Sequence, residues 1–353
     1  TIEDLGVDGE GIGKVDGMAI FVKDAVPGDR VQAKVMKMKK SYGYARLMQV
    51  LDPSPERTEP RCAFARQCGG CQLQAMTYEA QLDFKAKKVW NHLIRIGGIT
   101  DLAKPEIIGM DDPWRYRNKA QYPVGEDKDG NIIMGFYAGH THSIIPCDDC
   151  LLGDENNSVI LTAVKQWMKD YRVRAYNENI HKGTLRHILI RTGFHTDEIM
   201  VCLVTKKMLR KEAADGLVRV IERLNSGISA SDNTLSGSDN NTSNNSGRKL
   251  NIASLVVNIN KEDTNVILGR ECVTLYGRPY IEDYIGDIKF QISPLSFFQV
   301  NPKQTEVLYN KALEFANLTG NEAVWDLYCG IGTISLFLAK NAGMVYGVEI
   351  VPQ

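Results

Sequence analysis

Three thiols crowd into one short run, Cys62-Ala-Phe-Ala-Arg-Gln-Cys68-Gly-Gly-Cys71, and a fourth candidate, Cys150, follows much later. Thiolates are soft ligands that suit Zn²⁺ or an iron–sulfur cluster. The paired glycines let the backbone wrap tightly around such a centre without Cβ clashes. Eight cysteines in 353 residues are too few for a disulfide scaffold. With three of them at metal spacing, a reducing, cytoplasmic setting is the simplest expectation.

A second constellation is Asp326-Leu327-Tyr328-Cys329-Gly330-Ile331-Gly332-Thr333. It stands where a buried strand, expected at Ala323–Leu327, hands over to a helix expected at about Thr333 to Lys340. Gly330 and Gly332 let the backbone approach a ligand closely, and the helix start offers free N–H groups. The next strand, Met344–Ile350, carries Glu349, 23 residues after Asp326. An acid there can accept hydrogen bonds from both ribose hydroxyls. A dinucleotide would want a third glycine at position 335, where this chain has Ser335. An acid opening the loop suits S-adenosylmethionine, whose ammonium and sulfonium groups favour a nearby carboxylate. Cys329 reads as a small side chain packing the loop rather than a nucleophile.

The elements around these residues suggest a multidomain α+β chain. The net charge is −1, yet the stretch from Arg30 to Val50 holds Arg30, Lys34, Lys37, Lys39, Lys40 and Arg46 and no acid. A basic stripe on a near-neutral protein is a footprint for a polyanion. Turn signals at Asp8-Gly9, Asp16-Gly17 and Pro27-Gly28-Asp29 separate short strands such as Met18–Lys23 and Arg30–Met38. They predict an OB-like β-barrel over 1–52, a form that commonly binds nucleic acid. No run of about 20 apolar residues marks a membrane span, and no signal peptide opens the chain.

A helix is expected from Tyr78 to Ile96, with Leu82, Ala86, Val89, Leu93 and Ile96 on one face. From about 105 to 280 the pattern reads as mainly β. Residues 226–248, almost all Ser, Asn, Gly, Asp and Thr, read as a disordered insertion loop. Asn301 caps a further helix with Pro302 at its first position and an apolar face of Val307, Leu308, Ala312, Phe315 and Ala316. The expected domains are 1–52, a central domain at 53–282, and an α/β domain from 283.

With these residues in hand, the chain resembles the RumA-type RNA uracil-C5 methyltransferases, which methylate uridines of 23S ribosomal RNA. The resemblance runs over nearly the whole chain. Residues 1–52 look like the family's TRAM domain. Cys62 and Cys68-Gly-Gly-Cys71-Gln-Leu-Gln match its iron–sulfur motif. This implies a four-iron, four-sulfur (4Fe-4S) cluster on Cys62, Cys68, Cys71 and Cys150, with Cys147 as a rival for the fourth place and Zn²⁺ as a rival metal. The runs Ser296-Phe-Phe-Gln-Val-Asn301 and Asp326–Thr333 are the most specific matches. They imply a Rossmann-like methyltransferase domain in which Gln299, Tyr328 and Glu349 contact S-adenosylmethionine, beside Asp326, Gly330 and Gly332. Trp114-Arg115-Tyr116-Arg117-Asn118-Lys119 matches a segment near the RNA, and its alternating aromatic and basic groups can stack on bases and hold phosphates. Lys37, Lys39, Lys40, Arg115, Arg117 and Lys119 are thus the expected RNA-binding residues.

The family mechanism adds a cysteine thiolate at carbon 6 of uracil, methylates the activated carbon 5 and removes its proton with a carboxylate, on a base flipped out of its stack. The family's nucleophile and general base correspond to positions beyond residue 353, so no catalytic residue is expected within this chain and a fragment inactive by itself is. A monomer is expected. Alternatives are an iron–sulfur RNA-binding protein without catalysis, and a methyltransferase acting on transfer RNA.

Overall fold

The computed structural model describes residues 1–139, 141–228 and 248–350. Of the expected insertion, residues 229–247 lie outside the described residues. The chain forms two compact units, Thr1–Pro113 with Phe136–Ile145, and Trp114–Gly135 with Pro146–Gln353.

In the first unit, β1 (Ile2–Leu5), β2 (Gly11–Val15), β3 (Met18–Lys23), β4 (Arg30–Met38) and β5 (Tyr42–Asp52) form a sheet of order β1-β2-β3-β5-β4. Only the β3–β5 pair is parallel. Alternation does the work: Ile20, Val22, Ala45 and Leu47 turn inward with Ile2 and Ala25, while Phe21, Lys23, Tyr44 and Arg46 take the other face. Helix α1 (Tyr78–Arg95) follows, capped by the Thr77 hydroxyl, which accepts from the amide of Ala80. Its buried residues are Ala80 and Ala86. Val89 and Ile96, expected on the inner face, are exposed. Trp90 instead anchors the helix, donating from Nε1 to the Leu102 carbonyl at 2.8 Å.

The strands that follow are β6 (Lys119–Glu126), β7 (Ile132–Tyr137), β8 (Ile144–Pro146), β9 (Leu185–Thr192), β10 (Ile199–Thr205), β11 (Ile252–Ile259) and β12 (Glu271–Gly277), of which Phe136–Tyr137 and Ile144–Ile145 belong to the first unit. The sheet order is β12-β11-β10-β9-β6-β7-β8. The mainly-β expectation for this region needs correcting. Two helices lie in it, α2 (Asn156–Asp170) and α3 (Lys211–Asn225). Ile160, Leu161, Val164, Trp167 and Met168 bury one face of α2, and Ala213, Leu217, Ile221 and Leu224 one face of α3. That spacing is helical, and the periodicity was present in the sequence. Trp167 Nε1 donates to the Ala213 carbonyl at 2.8 Å and ties the helices together. Asn225 closes the base of the insertion: its amide nitrogen donates to the Ile252 carbonyl at 3.0 Å and its oxygen accepts from the Ile252 amide at 2.8 Å.

The chain continues through the hairpin β13 (Ile281–Ile285) and β14 (Ile288–Ile292), then α4 (Pro302–Ala316), β15 (Ala323–Asp326), α5 (Thr333–Leu338) and β16 (Met344–Gly347). Strands β15 and β16 are parallel with α5 between them, a βαβ unit. The Asn301 cap is observed, accepting from Gln304, with Pro302 at the first position. The expected apolar face is not the buried one: Leu308 and Phe315 are exposed, while Thr305 and Tyr309 are covered. Tyr309 meets Phe337 of α5, ring centroids 5.6 Å apart, and that contact turns the helix.

Candidate functional site

The loop between β15 and α5 is held by its own backbone and by three side chains. The Asp326 carbonyl accepts from the Val348 amide at 2.8 Å, and the Cys329 amide donates to the Val348 carbonyl at 3.1 Å. Glu349 Oε2 accepts from the Gly330 amide at 2.9 Å. Ser335 Oγ donates to Asp326 Oδ2 at 2.6 Å. Gly330 and Gly332 have φ of 55° and 80°, a left-handed backbone that glycine adopts without strain. The structure therefore brings Asp326, Gly330 and Glu349 together. Tyr328, 91% exposed, stands at the rim of the loop. Ser335 was read in the sequence only as a missing glycine; here its hydroxyl fixes the carboxylate that opens the loop.

Gln299, half-buried, lies on a separate segment. The Ser293–Asn301 segment leads into α4, and Tyr309 of α4 shares a 2.8 Å hydrogen bond with Thr333 at the start of α5. The segment is pinned to the sheet by two residues. Asn118 donates from its side chain to the Gln299 carbonyl at 2.9 Å and from its amide to the Val300 carbonyl at 3.0 Å. Arg191, 4% exposed, donates from Nη2 to the carbonyls of Ser296 at 2.6 Å and Pro294 at 3.4 Å. Sequence reasoning did not single out Asn118 or Arg191. Asn118 was hidden in a run noticed for its charges, and Arg191 in a strand noticed for its apolar neighbours.

The expected RNA-facing residues fall into different surroundings. Lys37, Lys39 and Lys40 are exposed. Lys37 lies opposite Tyr44, and Tyr44 opposite Phe21, so aromatic and basic groups alternate across that face. Phe21, Tyr42 and Tyr44 contact one another with centroids 5.6 to 5.8 Å apart. Arg115 is engaged within the protein: it grips Asp149 at 2.5 and 2.8 Å and donates to the carbonyls of Cys150 and Gly153. Its guanidinium holds the Asp149 carboxyl below the usual range. Arg117 is exposed and Lys119 half-buried.

Cys62, Cys68, Cys71 and Cys150 are half-buried and free of disulfides, and Cys147 is buried. Cys62 and Cys71 line one cavity of about 420 Å³ with Arg57, Arg66, Gln72 and Gln74. The Gly70 amide donates to Cys68 Sγ at 3.4 Å. A Cβ on Gly69 would stand 3.1 Å from Gly139 and from the Tyr137 carbonyl. Cys147 donates its S–H to the Asp149 carbonyl at 3.4 Å. Among the described residues, no group of three or more His, Cys, Asp or Glu side chains is arranged to hold a metal ion. The donor types and spacing suit a cluster; the side-chain arrangement does not by itself form one.

Comparison with known proteins decides the family. Residues 1–48 match the TRAM domain model. The chain is 49% identical over 353 residues to an uncharacterized RNA methyltransferase of Halalkalibacterium halodurans, covering all of this chain and 71% of that protein. It is 46% identical over 354 residues to one from Clostridium tetani, again covering 71% of the relative. The chain belongs to the RNA methyltransferase family. A solved structure, the Pyrococcus abyssi tRNA (uracil-54, C5)-methyltransferase in complex with S-adenosyl-L-homocysteine, superposes with a TM-score of 0.67 at 25% identity. The match covers 96% of this chain and 69% of that one. The methyltransferase chain thus has a TRAM domain over residues 1–48 and a methyltransferase-like fold. Among its described residues, no helix is long and apolar enough to cross a membrane.

Proposed function

We propose that this methyltransferase acts at carbon 5 of a uridine in RNA, using S-adenosylmethionine bound at the Asp326–Thr333 loop. The observation that carries the reading is the loop itself. Asp326, fixed by Ser335, and Glu349, at the Gly330 amide, offer one carboxylate toward the cofactor's cationic end and one toward its ribose. Tyr328 is free to cover the adenine side, and Gln299 is supplied by the segment that Asn118 and Arg191 pin. The uracil-C5 activity of the structural neighbour supports the base and the position. RNA is held by the TRAM face bearing Lys37, Lys39 and Lys40, and by Arg117 and Lys119, with Arg115 bracing that segment from within.

The 23S ribosomal RNA is the substrate that the sequence resemblance favours. Transfer RNA is the second reading, because the structural neighbour is a tRNA enzyme. Mass spectrometry of ribosomal and transfer RNA from cells lacking the gene separates them by which fraction loses 5-methyluridine. Loss from neither overturns the assignment.

The Cys62, Cys68, Cys71 and Cys150 thiolates are proposed to hold an iron–sulfur cluster, which would lock the polypeptide around it and supply no step of methyl transfer. Cys150 fits the fourth place better than Cys147, whose S–H is taken up by a backbone carbonyl. Anaerobically purified protein should be brown, with broad absorbance near ~400 nm from thiolate-to-iron charge transfer. Colourless protein containing zinc would reassign the metal.

A further inference from the structure

Arg191 and Lys119 lie directly opposite each other in the β6–β9 pair, so their side chains share one face of the sheet at about 5 Å between Cα atoms. Like charges so placed repel, and the sheet gains nothing from them. Lys119 is half-buried, and among the described residues no carboxylate or hydrogen-bond acceptor meets its ammonium. Arg191 is almost fully buried. Its Nη2 serves two backbone carbonyls, and among the described residues its Nε has no partner and no acid pairs with it. Burial pushes Lys119 below the ordinary lysine range, with Arg191 and then Arg117 adding to the effect, and pushes Arg191 down to about 10. Arg117, two residues before Lys119, is exposed over the Tyr116 ring. Three cations therefore run from solvent to the sheet interior with no anion among them.

We propose that Arg117 and Lys119 seat one backbone phosphate of the bound RNA, and that Arg191 backs this seat and couples it to the Ser296–Asn301 segment. This deepens the RNA reading above and rests on it. A phosphate supplies the missing negative charge. The cofactor does not, because S-adenosylmethionine carries a sulfonium and an ammonium against a single carboxylate. Arg191 then acts as a positioning residue: the side chain that lends charge to the seat also holds the carbonyl of Ser296, three residues before Gln299. Occupying the seat places RNA beside the segment that meets the cofactor.

The test measures binding of a uridine-containing RNA hairpin to the full chain across a salt series, with S-adenosylhomocysteine binding and thermal melting alongside. Lys119→Met should weaken RNA binding about 10-fold and reduce the slope of log K against log salt by about 1. It should leave S-adenosylhomocysteine affinity unchanged, and it should raise the melting temperature of the free protein by removing an uncompensated charge. Lys119→Arg should restore RNA binding. If the wild-type chain binds RNA and Lys119→Met keeps both its affinity and its salt slope, the seat is wrong while the functional reading stands. If Lys119→Met loses S-adenosylhomocysteine instead, the seat belongs to the cofactor carboxylate and the proposal falls. A wild-type chain that binds no RNA overturns both.

Discussion

Arg57 clasps Asp29 from two directions, Nη2 at 2.6 Å from Oδ2 and Nε at 2.9 Å from Oδ1. The carboxylate is fully covered and also accepts from the amides of Val26 and Ser54. Burial works against its charge, but Arg57 and the two amides outweigh it and hold the carboxyl below its usual range. The pair links the turn after β3 to the segment that precedes the cysteine run.

Arg57→Met should therefore cost about 3–5 kcal/mol, because it strands a buried carboxylate. Asp29→Asn should cost less, since the amide side chain still accepts from one backbone N–H. Urea melts of the two variants check the order. Because the native carboxyl is depressed, its contribution is complete above the unfolded value near ~4 and is lost as pH falls through the native value.

His187 sits buried on the same sheet face as Arg191, its Nδ1 without a partner among the described residues. Burial, with Arg186 beside it, pushes its pKa down to about 4. Above about pH 6.5 the ring is neutral in both folded and unfolded chains, and its contribution is fully present. As pH falls from about 6.5 to about 4, only the unfolded chain takes up the proton, so stability drops by about 3 kcal/mol. His187→Gln should flatten that decline in a series of urea melts. An unchanged pH profile would show that the ring does not titrate in this window.

Ser335→Ala should weaken S-adenosylhomocysteine binding about 10-fold, because Asp326 loses the hydroxyl that aims it and charged hydrogen bonds of this kind contribute about 1.5–3 kcal/mol. Ser335→Gly, which completes a dinucleotide-like spacing, should weaken it equally and confer no affinity for NAD. Calorimetric titration with both ligands distinguishes an aiming role from simple loop packing.

Gly330→Ala meets no atom within 4 Å, so its cost is backbone strain alone, about 1 kcal/mol. Gly277→Ala would place its Cβ 2.0 Å from the Ala253 carbonyl and must displace strand β12. It should lower the melting temperature several times further than Gly330→Ala does.

The local grammar of the chain was readable where one signal dominated. Met18–Lys23, Arg30–Met38, the helix from Tyr78 and the Asn301–Pro302 helix start all follow from alternation, turns, helical periodicity and a cap. The helices α2 and α3 were missed because the strands around them are continuous apolar runs. Strands β9 and β10 are buried at every position, and that density masked the helical periods before β9 and after β10. The inner face of α4 was unreadable for another reason. Tyr309 gains both a ring contact and a hydroxyl partner from α5, and neither exists until α5 is in place. At the site, Asp326, the glycines and Glu349 were legible because chain geometry fixes their spacing. Asn118 and Arg191 act on backbone carbonyls far away in sequence, and no local pattern announces such bonds.

The polypeptide passes from one compact unit to the other after Pro113, returns after Gly135, and leaves again after Ile145. Two units joined by one strand of chain can be parted by a single protease cut or exchanged by a single genetic crossover. Here a nick after Pro113 leaves Phe136–Ile145, a piece of the first unit, covalently joined to the second at both its ends. A single break in the chain therefore cannot release the first unit whole, and a single crossover cannot exchange it whole.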